Sequence, residues 1–189
     1  MTDPDRDCLE RFRDGDARAF EELVLRHEKR VYNLCLRMLG RPEDARDATQ
    51  DTFLSVLRRS DSFRGQAAFT TWLHRIGVNS CYDILRKRQR SPLLTEEPAE
   101  AVPPAPDPAD AAADALDVQA ALLLVPPEFR AVLVLHDVQD LAYEDISASL
   151  EIPVGTVKSR LHRGRLALAA ALSGTPEPPP ASEGMMEER

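Results

Sequence analysis

Trp72, Arg75, Asn79, Tyr82, Asp83 and Arg86 recur at spacings of three and four residues, which places them along one face of an α-helix. The set offers a ring to stack on, an amide able to hydrogen-bond a base edge, and cations for phosphates. That combination suits single-stranded nucleic acid, whose unstacked bases present both faces and edges. Ser62-Phe63-Arg64-Gly65-Gln66 directly precedes the stripe and could form one wall of a base pocket. A plainer reading remains open, in which Trp72 packs in the core and the arginines only keep the helix in solution.

Two further surfaces carry chemistry. On a helix over 43–59, Ala45, Ala48, Thr52, Phe53 and Val56 cluster on one side, the core face. Asp47, Gln50, Asp51 and Leu54 lie opposite. A solvated face is the usual fate of such charges, but Leu54 sets an apolar side chain at the centre of the polar stripe, as a protein contact would. Farther on, Leu141-Ala142-Tyr143-Glu144-Asp145-Ile146 leads through Pro153 and Gly155 to Val157-Lys158-Ser159-Arg160-Leu161. This reads as a helix-turn-helix over 142–165, with Ile146, Leu150, Ile152, Val157 and Leu161 as its small core. Gly155, Thr156, Ser159, His162 and Arg163 face outward beside Lys158. Short donors at the start of an exposed helix, with cations behind them, match a recognition helix in the major groove. An ordinary helical hairpin is the alternative.

The elements that must hold these surfaces are helical. Phe20, Leu23, Val24, Val31, Leu34, Cys35 and Met38 recur at helical spacing over 17–39, and Gly40-Arg41-Pro42 stops them. Helices follow over about 43–59 and 68–88, then near 113–124 and over about 128–138, 143–150 and 154–172. No alternating strand pattern or Asn-Gly hairpin signal interrupts them. Pro92, Pro98, Pro103, Pro104, Pro106 and Pro108 stand among Ala and acids in 91–114, a composition that cannot bury a core. The expected architecture is all-α: two small helical domains, 1–90 and 115–172, joined by a disordered linker over 91–114 and followed by a disordered tail over 173–189.

The 189 residues carry a formal net charge of −8, which by itself argues against a nucleic-acid partner. Its distribution argues the other way. Eight Lys/Arg against two Asp fall between Arg58 and Arg90, and Lys158, Arg160, Arg163 and Arg165 stand unopposed between Pro153 and Leu172. Seven acids and no base lie between Ser91 and Asp117. Tethered to two basic surfaces, those acids would compete with phosphates and weaken duplex binding by the free protein. No run of about 18 apolar residues is present, so no membrane insertion is expected. The acidic, polar N-terminus does not read as a secretory signal, and the expected location is cytoplasmic. Cys8, Cys35 and Cys81 are far apart in sequence and read as free buried thiols. No cofactor or metal site is expected.

These three surfaces, in this order, resemble the extracytoplasmic-function (ECF) group of bacterial sigma-70 family factors. The motifs that carry the resemblance are Asp44-Ala45-Arg46-Asp47-Ala48-Thr49-Gln50-Asp51-Thr52-Phe53-Leu54, Phe63-Arg64-Gly65 through Asn79, and Leu141 through Leu161. The similarity spans about residues 17–90 and 115–172. It implies a region 2 domain and a region 4 domain, and a non-enzymatic initiation factor that directs core RNA polymerase to promoters and helps open the minus-ten element. It also implies that Asp44, Asp47, Gln50, Asp51 and Leu54 meet the β′ clamp helices, with region 4 near the β flap. Phe63, Arg64, Gly65, Gln66, Trp72, Arg75, Asn79 and Arg86 would take the melted minus-ten strand. Thr156, Lys158, Ser159, Arg160, His162 and Arg163 would read the minus-thirty-five element. An anti-sigma factor is an implied partner, and the free chain is expected to be a monomer. Gly77 departs from the family, which commonly has Ala there, and Gly weakens a helix by up to about 1 kcal/mol.

Two rival classes remain at this point. A helix-turn-helix regulator that acts without polymerase would explain 115–172 but leave the Trp72–Arg86 stripe idle, and would normally dimerise on two half-sites. For an enzyme, His27, His74, His136 and His162 are scattered, without a carboxylate at catalytic or metal-binding spacing and without a phosphate-binding glycine loop.

Overall fold

The computed structural model describes residues 3–65, 67–90 and 109–174. Among these, eight α-helices and no strand occur: α1 (Pro4–Arg13), α2 (Ala17–Leu39), α3 (Pro42–Arg59), α4 (Phe69–Arg90), α5 (Ala109–Leu124), α6 (Pro127–Leu133), α7 (Tyr143–Leu150) and α8 (Val154–Leu172).

Local chemistry sets the boundaries. Asp3 caps α1 by accepting from the Asp5 amide at 3.1 Å, with Pro4 in the first turn and Arg11 and Arg13 in the last, an order that complements the helix dipole. Asp16 caps α2 in the same way through the Arg18 amide at 3.1 Å, and α2 ends at Gly40. The sequence pattern places no helix over 4–13. The structure forms one there because Cys8 and Leu9 bury against α2.

In the N-terminal half, α2, α3 and α4 pack around Leu23, Val31, Leu34, Met38, Val56, Leu73 and Ile76. Each such side chain contributes about 1.5–3 kcal/mol through burial. Ala45 and Ala48 keep the α3 face small. Gly77 has a matching role, because a Cβ there would lie 3.1 Å from Leu34 Cδ2. An alanine here would require Leu34 to give by a few tenths of an ångström.

The C-terminal half is built on Val125, Val132, Leu133, Leu135, Ile146, Val157 and Leu161. The expected single helix over about 128–138 is divided. After α6 the backbone widens into a π-helical turn, Val134–Val138, from which the chain swings into α7. Helix α5 also begins at Ala109, earlier than the expected 113 and inside the range read as linker. The remaining linker residues, 91–108, and the tail from 175 lie outside the described residues.

The two halves touch. The buried Arg130 guanidinium donates to the Val125, Leu123 and Met38 carbonyls, the last of these on α2. Burial pushes its pKa down to about 10, so the carbonyls that receive its protons are what make the position tolerable. Arg30 donates to the Gln139 side chain at 2.8 Å and to its carbonyl at 2.6 Å, and Arg37 to Gln119 Oε1 at 2.8 Å.

Candidate nucleic-acid and polymerase interfaces

The first site forms where the chain leaves α3. A 3-10 turn, Ser60–Ser62, and the following loop face the first half of α4 across a cleft of about 370 Å³. Phe63 and Trp72 form its aromatic wall, backed by the buried Phe69. The Phe63 and Trp72 ring centroids are 5.2 Å apart, and Phe63 meets Phe69 edge-on at 5.8 Å. Phe63 is buried, so its ring supports Trp72, which is half-buried and keeps part of its surface on the cleft. Arg59, Arg64, Arg75 and Asn79 complete the lining. One cleft therefore holds a stacking face, an exposed amide and three guanidinium groups. Trp72 thus packs against the buried rings and also lines the cleft.

Arg86 is not brought there. It pairs with Asp83 at 2.7 Å and lines a separate polar cleft with Asp51, Arg58, Lys87 and Arg90. Gln66 lies outside the described residues. The C-terminal half reaches the first cleft: Ala148 lines it, Ser149 Oγ donates to the Thr71 carbonyl at 3.0 Å, and Glu151 pairs with Arg75 at 2.7 Å.

The second site is an apolar groove of about 350 Å³ between α2 and α3. Leu54 forms its rim, 37% exposed, together with Gln50 and Leu57. Phe20, Val24 and Tyr32 form its α2 side, and the helical wheel of α3 alone misses them because a groove belongs to two helices. The apolar runs at Val24–Leu25 and Phe53-Leu54 with Leu57 were the available signal. Asp47 is exposed and lines not this groove but a small cleft between α3 and α4, with Gln50, Asp51, Lys87 and Arg88. Asp44 is half-buried and engaged by Arg88 of α4, so its carboxylate pins α3 to α4. Asp51 faces the polar cleft on the other side.

In the third site, α7 and α8 form the expected helix-turn-helix, closed by Ser147 Oγ donating to the Ile152 carbonyl at 2.6 Å. Val157, Leu161 and Gly164 are buried, whereas Gly155, Lys158, Ser159 and His162 are exposed and Thr156 and Arg163 half-buried. Helix α8 starts without a side-chain cap and with no acid in its first turn, leaving positive dipole at its exposed end. Lys158 Nζ stands 5.7 Å from the Tyr143 ring centre. Arg160, which the family resemblance adds to this set, lies to one side of it. It is half-buried and near enough to Tyr82 of α4 to lower that phenol's pKa against the larger upward push of burial.

The histidines do not gather. His27 Nε2 meets Asp5 Oδ2 at 2.9 Å in a buried pair, a carboxylate partner 22 residues away that spacing alone could not indicate. Cys8, Cys35 and Cys81 are free and buried. The hydrogen bond that the Cys81 thiol makes toward Cys35, together with burial, raises the Cys81 pKa well above the usual thiol value, which leaves it unreactive.

Comparison with known proteins agrees with this geometry. Residues 23–91 match sigma-70 region 2, and residues 115–168 match sigma-70 region 4. The chain is 42% identical over 152 residues to the ECF RNA polymerase sigma factor SigE of Mycolicibacterium smegmatis, a match covering 78% of this chain and 59% of that relative. It is 41% identical over 158 residues to the ECF RNA polymerase sigma factor SigM of Mycobacterium tuberculosis, covering 84% of this chain and 79% of the relative. Among solved structures, the sigma factor RpoE in complex with the anti-sigma factor NepR, from Bartonella quintana, superposes with a TM-score of 0.68 at 25% identity, covering 82% of this chain and 96% of that one. The fold and the three surfaces define a promoter-recognition protein of two helical modules. The chain belongs to the ECF group of the sigma-70 family of RNA polymerase sigma factors.

Proposed function

We infer that this chain is an alternative sigma factor that binds core RNA polymerase, directs it to specific promoters and helps open the minus-ten element. The observation that carries the reading is the cleft between α4 and the segment around Phe63, Arg64 and Gly65. Trp72, Asn79 and Arg75 line it together, and those groups serve stacking, base-edge and phosphate contacts to an unpaired strand. Asp47, Gln50 and Leu54 dock on polymerase, while the exposed face of α8 meets upstream duplex in the major groove. An anti-sigma factor and the β flap are the further partners of this reading, and the cytoplasm is its place of action. Among the described residues no helix is long and apolar enough to cross a membrane.

The test is reconstituted transcription on genomic promoter fragments with 5′-end mapping. Defined start sites that require both this chain and core polymerase are expected. Sequence-specific duplex binding by the isolated chain as a dimer, with no effect on polymerase, would establish instead a regulator that acts alone.

A further inference from the structure

Helix α1 lies ahead of the region 2 match, which begins at residue 23, yet it reaches the cleft twice. Arg13, at its last turn, extends one guanidinium nitrogen, Nη2, to two carbonyls of the loop: that of Ser60 and that of Phe63, the latter at 2.8 Å. Its Nε lies 3.9 Å from Asp61 Oδ1. Arg6 lies against Gly65, where a Cβ would come within 3.1 Å of its Nη1 and where φ is +67°, a backbone shape that favours glycine. At the other end of α1, Asp5 holds His27, whose ring lies 5.5 Å from Phe69, and Phe69 packs on both Phe63 and Trp72.

We propose that Arg13 is a positioning residue for minus-ten recognition: it fixes the Ser60–Gly65 loop through two backbone carbonyls and so sets where the Phe63–Trp72 wall stands. The proposal rests on the reading of the cleft as the site of the unpaired strand. A loop that follows a 3-10 turn and carries a left-handed glycine has few internal hydrogen bonds; among the described contacts, Phe63 N to the Ser60 carbonyl at 3.2 Å and Ser62 Oγ to the Arg59 carbonyl at 2.7 Å hold it from within. Arg13 holds it at two points, Ser60 and Phe63, from an independent helix. Its guanidinium is occupied by carbonyls, which separates it from the cleft cations that face a phosphate.

The test uses Arg13→Met, which keeps the aliphatic stem and removes the donors, and Arg13→Lys as the rescue. Holoenzyme assembled with each variant binds a labelled single-stranded oligonucleotide carrying a functional minus-ten element, or a scrambled strand of equal length. Arg13→Met should lower the preference for the element about tenfold, the scale of one misplaced base contact, and Arg13→Lys should restore most of it. The log affinity–log salt slope and polymerase affinity should match the parent. In the free chain, Trp72, the one tryptophan, should become more accessible to acrylamide quenching in Arg13→Met. A slope reduced by about one unit would make Arg13 a phosphate contact and overturn the proposal. A parallel loss of polymerase affinity would overturn it too, as a general folding role. Unchanged preference in Arg13→Met with loss in Asn79→Ala refutes the proposal and leaves the cleft standing; unchanged preference in both refutes the cleft reading itself.

Discussion

Arg75 of α4 and Glu151, the left-handed residue that ends α7, form an ion pair at 2.7 Å that spans the two halves of the chain. Arg75 is also one of the cations lining the aromatic cleft. A carboxylate of the region 4 half therefore occupies a cation of the region 2 half. Glu151→Gln should raise the affinity of the polymerase-free protein for a single-stranded minus-ten oligonucleotide several-fold at low salt. The gain should fade near 0.5 M salt, since both partners are substantially exposed and screening removes such a contact. Identical affinity at low salt would mean that the pair does not guard the cleft.

Asp47 stands exposed at the α3–α4 cleft, near Gln50 and Lys87, with no ion pair among the described contacts. Asp47→Arg should weaken core polymerase binding at least tenfold while shifting the unfolding free energy by no more than about 0.5 kcal/mol, as exposed substitutions usually do. Titration against labelled core polymerase, with a parallel circular-dichroism melt, checks both parts. Parental polymerase affinity would remove Asp47 from the interface.

Lys158 and Arg163 separate two ways of meeting duplex DNA. A phosphate contact predicts that substitution by Ala lowers the log affinity–log salt slope by about one unit on every sequence. A base contact predicts relaxed preference at one upstream position, worth about 1–3 kcal/mol. Lys158 is exposed and should follow the first pattern; Arg163 is half-buried and should follow the second. If neither residue shows either effect, α8 is not the reading helix.

His74 gives the fold a pH limb. It is buried, its Nδ1 has no hydrogen-bond partner among the described residues, and burial, helped by the charges of Arg30 and His27, lowers its pKa from 6.5 to about 4. Between those values the unfolded chain binds the proton that the folded chain refuses. Stability should therefore be level above about pH 6.5 and fall as pH drops toward 4, by up to roughly 3 kcal/mol from this group. Urea melts of the parent across pH 4–7 should show that loss, and His74→Leu should remove most of it. An equally steep fall in His74→Leu would assign the limb to other groups.

The helices that carry strong periodicity were legible in the sequence because one face of each is buried along its whole length. Helix α2 spans Ala17–Leu39 as the apolar pattern predicts, and α7 and α8 begin and end where Tyr143, Pro153 and Leu172 suggest. The residue types of the aromatic cleft were legible too, since Trp72, Arg75 and Asn79 share one helical face. What the sequence could not display were relations between elements. The Asp5–His27 pair, the Arg13 clamp and the Arg130 bridge to the Met38 carbonyl join residues 22 to 92 positions apart. Arg86 and Asp44 were assigned by helical face or motif, but tertiary packing turns one to another cleft and engages the other with Arg88. The π-helical turn after Leu133 depends on how the backbone must bend to seat α7, and no side-chain pattern announces it.

The account stands or falls on whether the cleft takes an unpaired base. Holoenzyme assembled with this chain should be mixed with promoter duplex carrying 2-aminopurine at successive minus-ten positions, and the fluorescence rise on opening followed for the parent and for Asn79→Ala. The parent should give a large rise centred on one or two positions, and Asn79→Ala should slow or abolish it on duplex while binding polymerase normally. A rise of the same size, rate and position in Asn79→Ala would contradict the account.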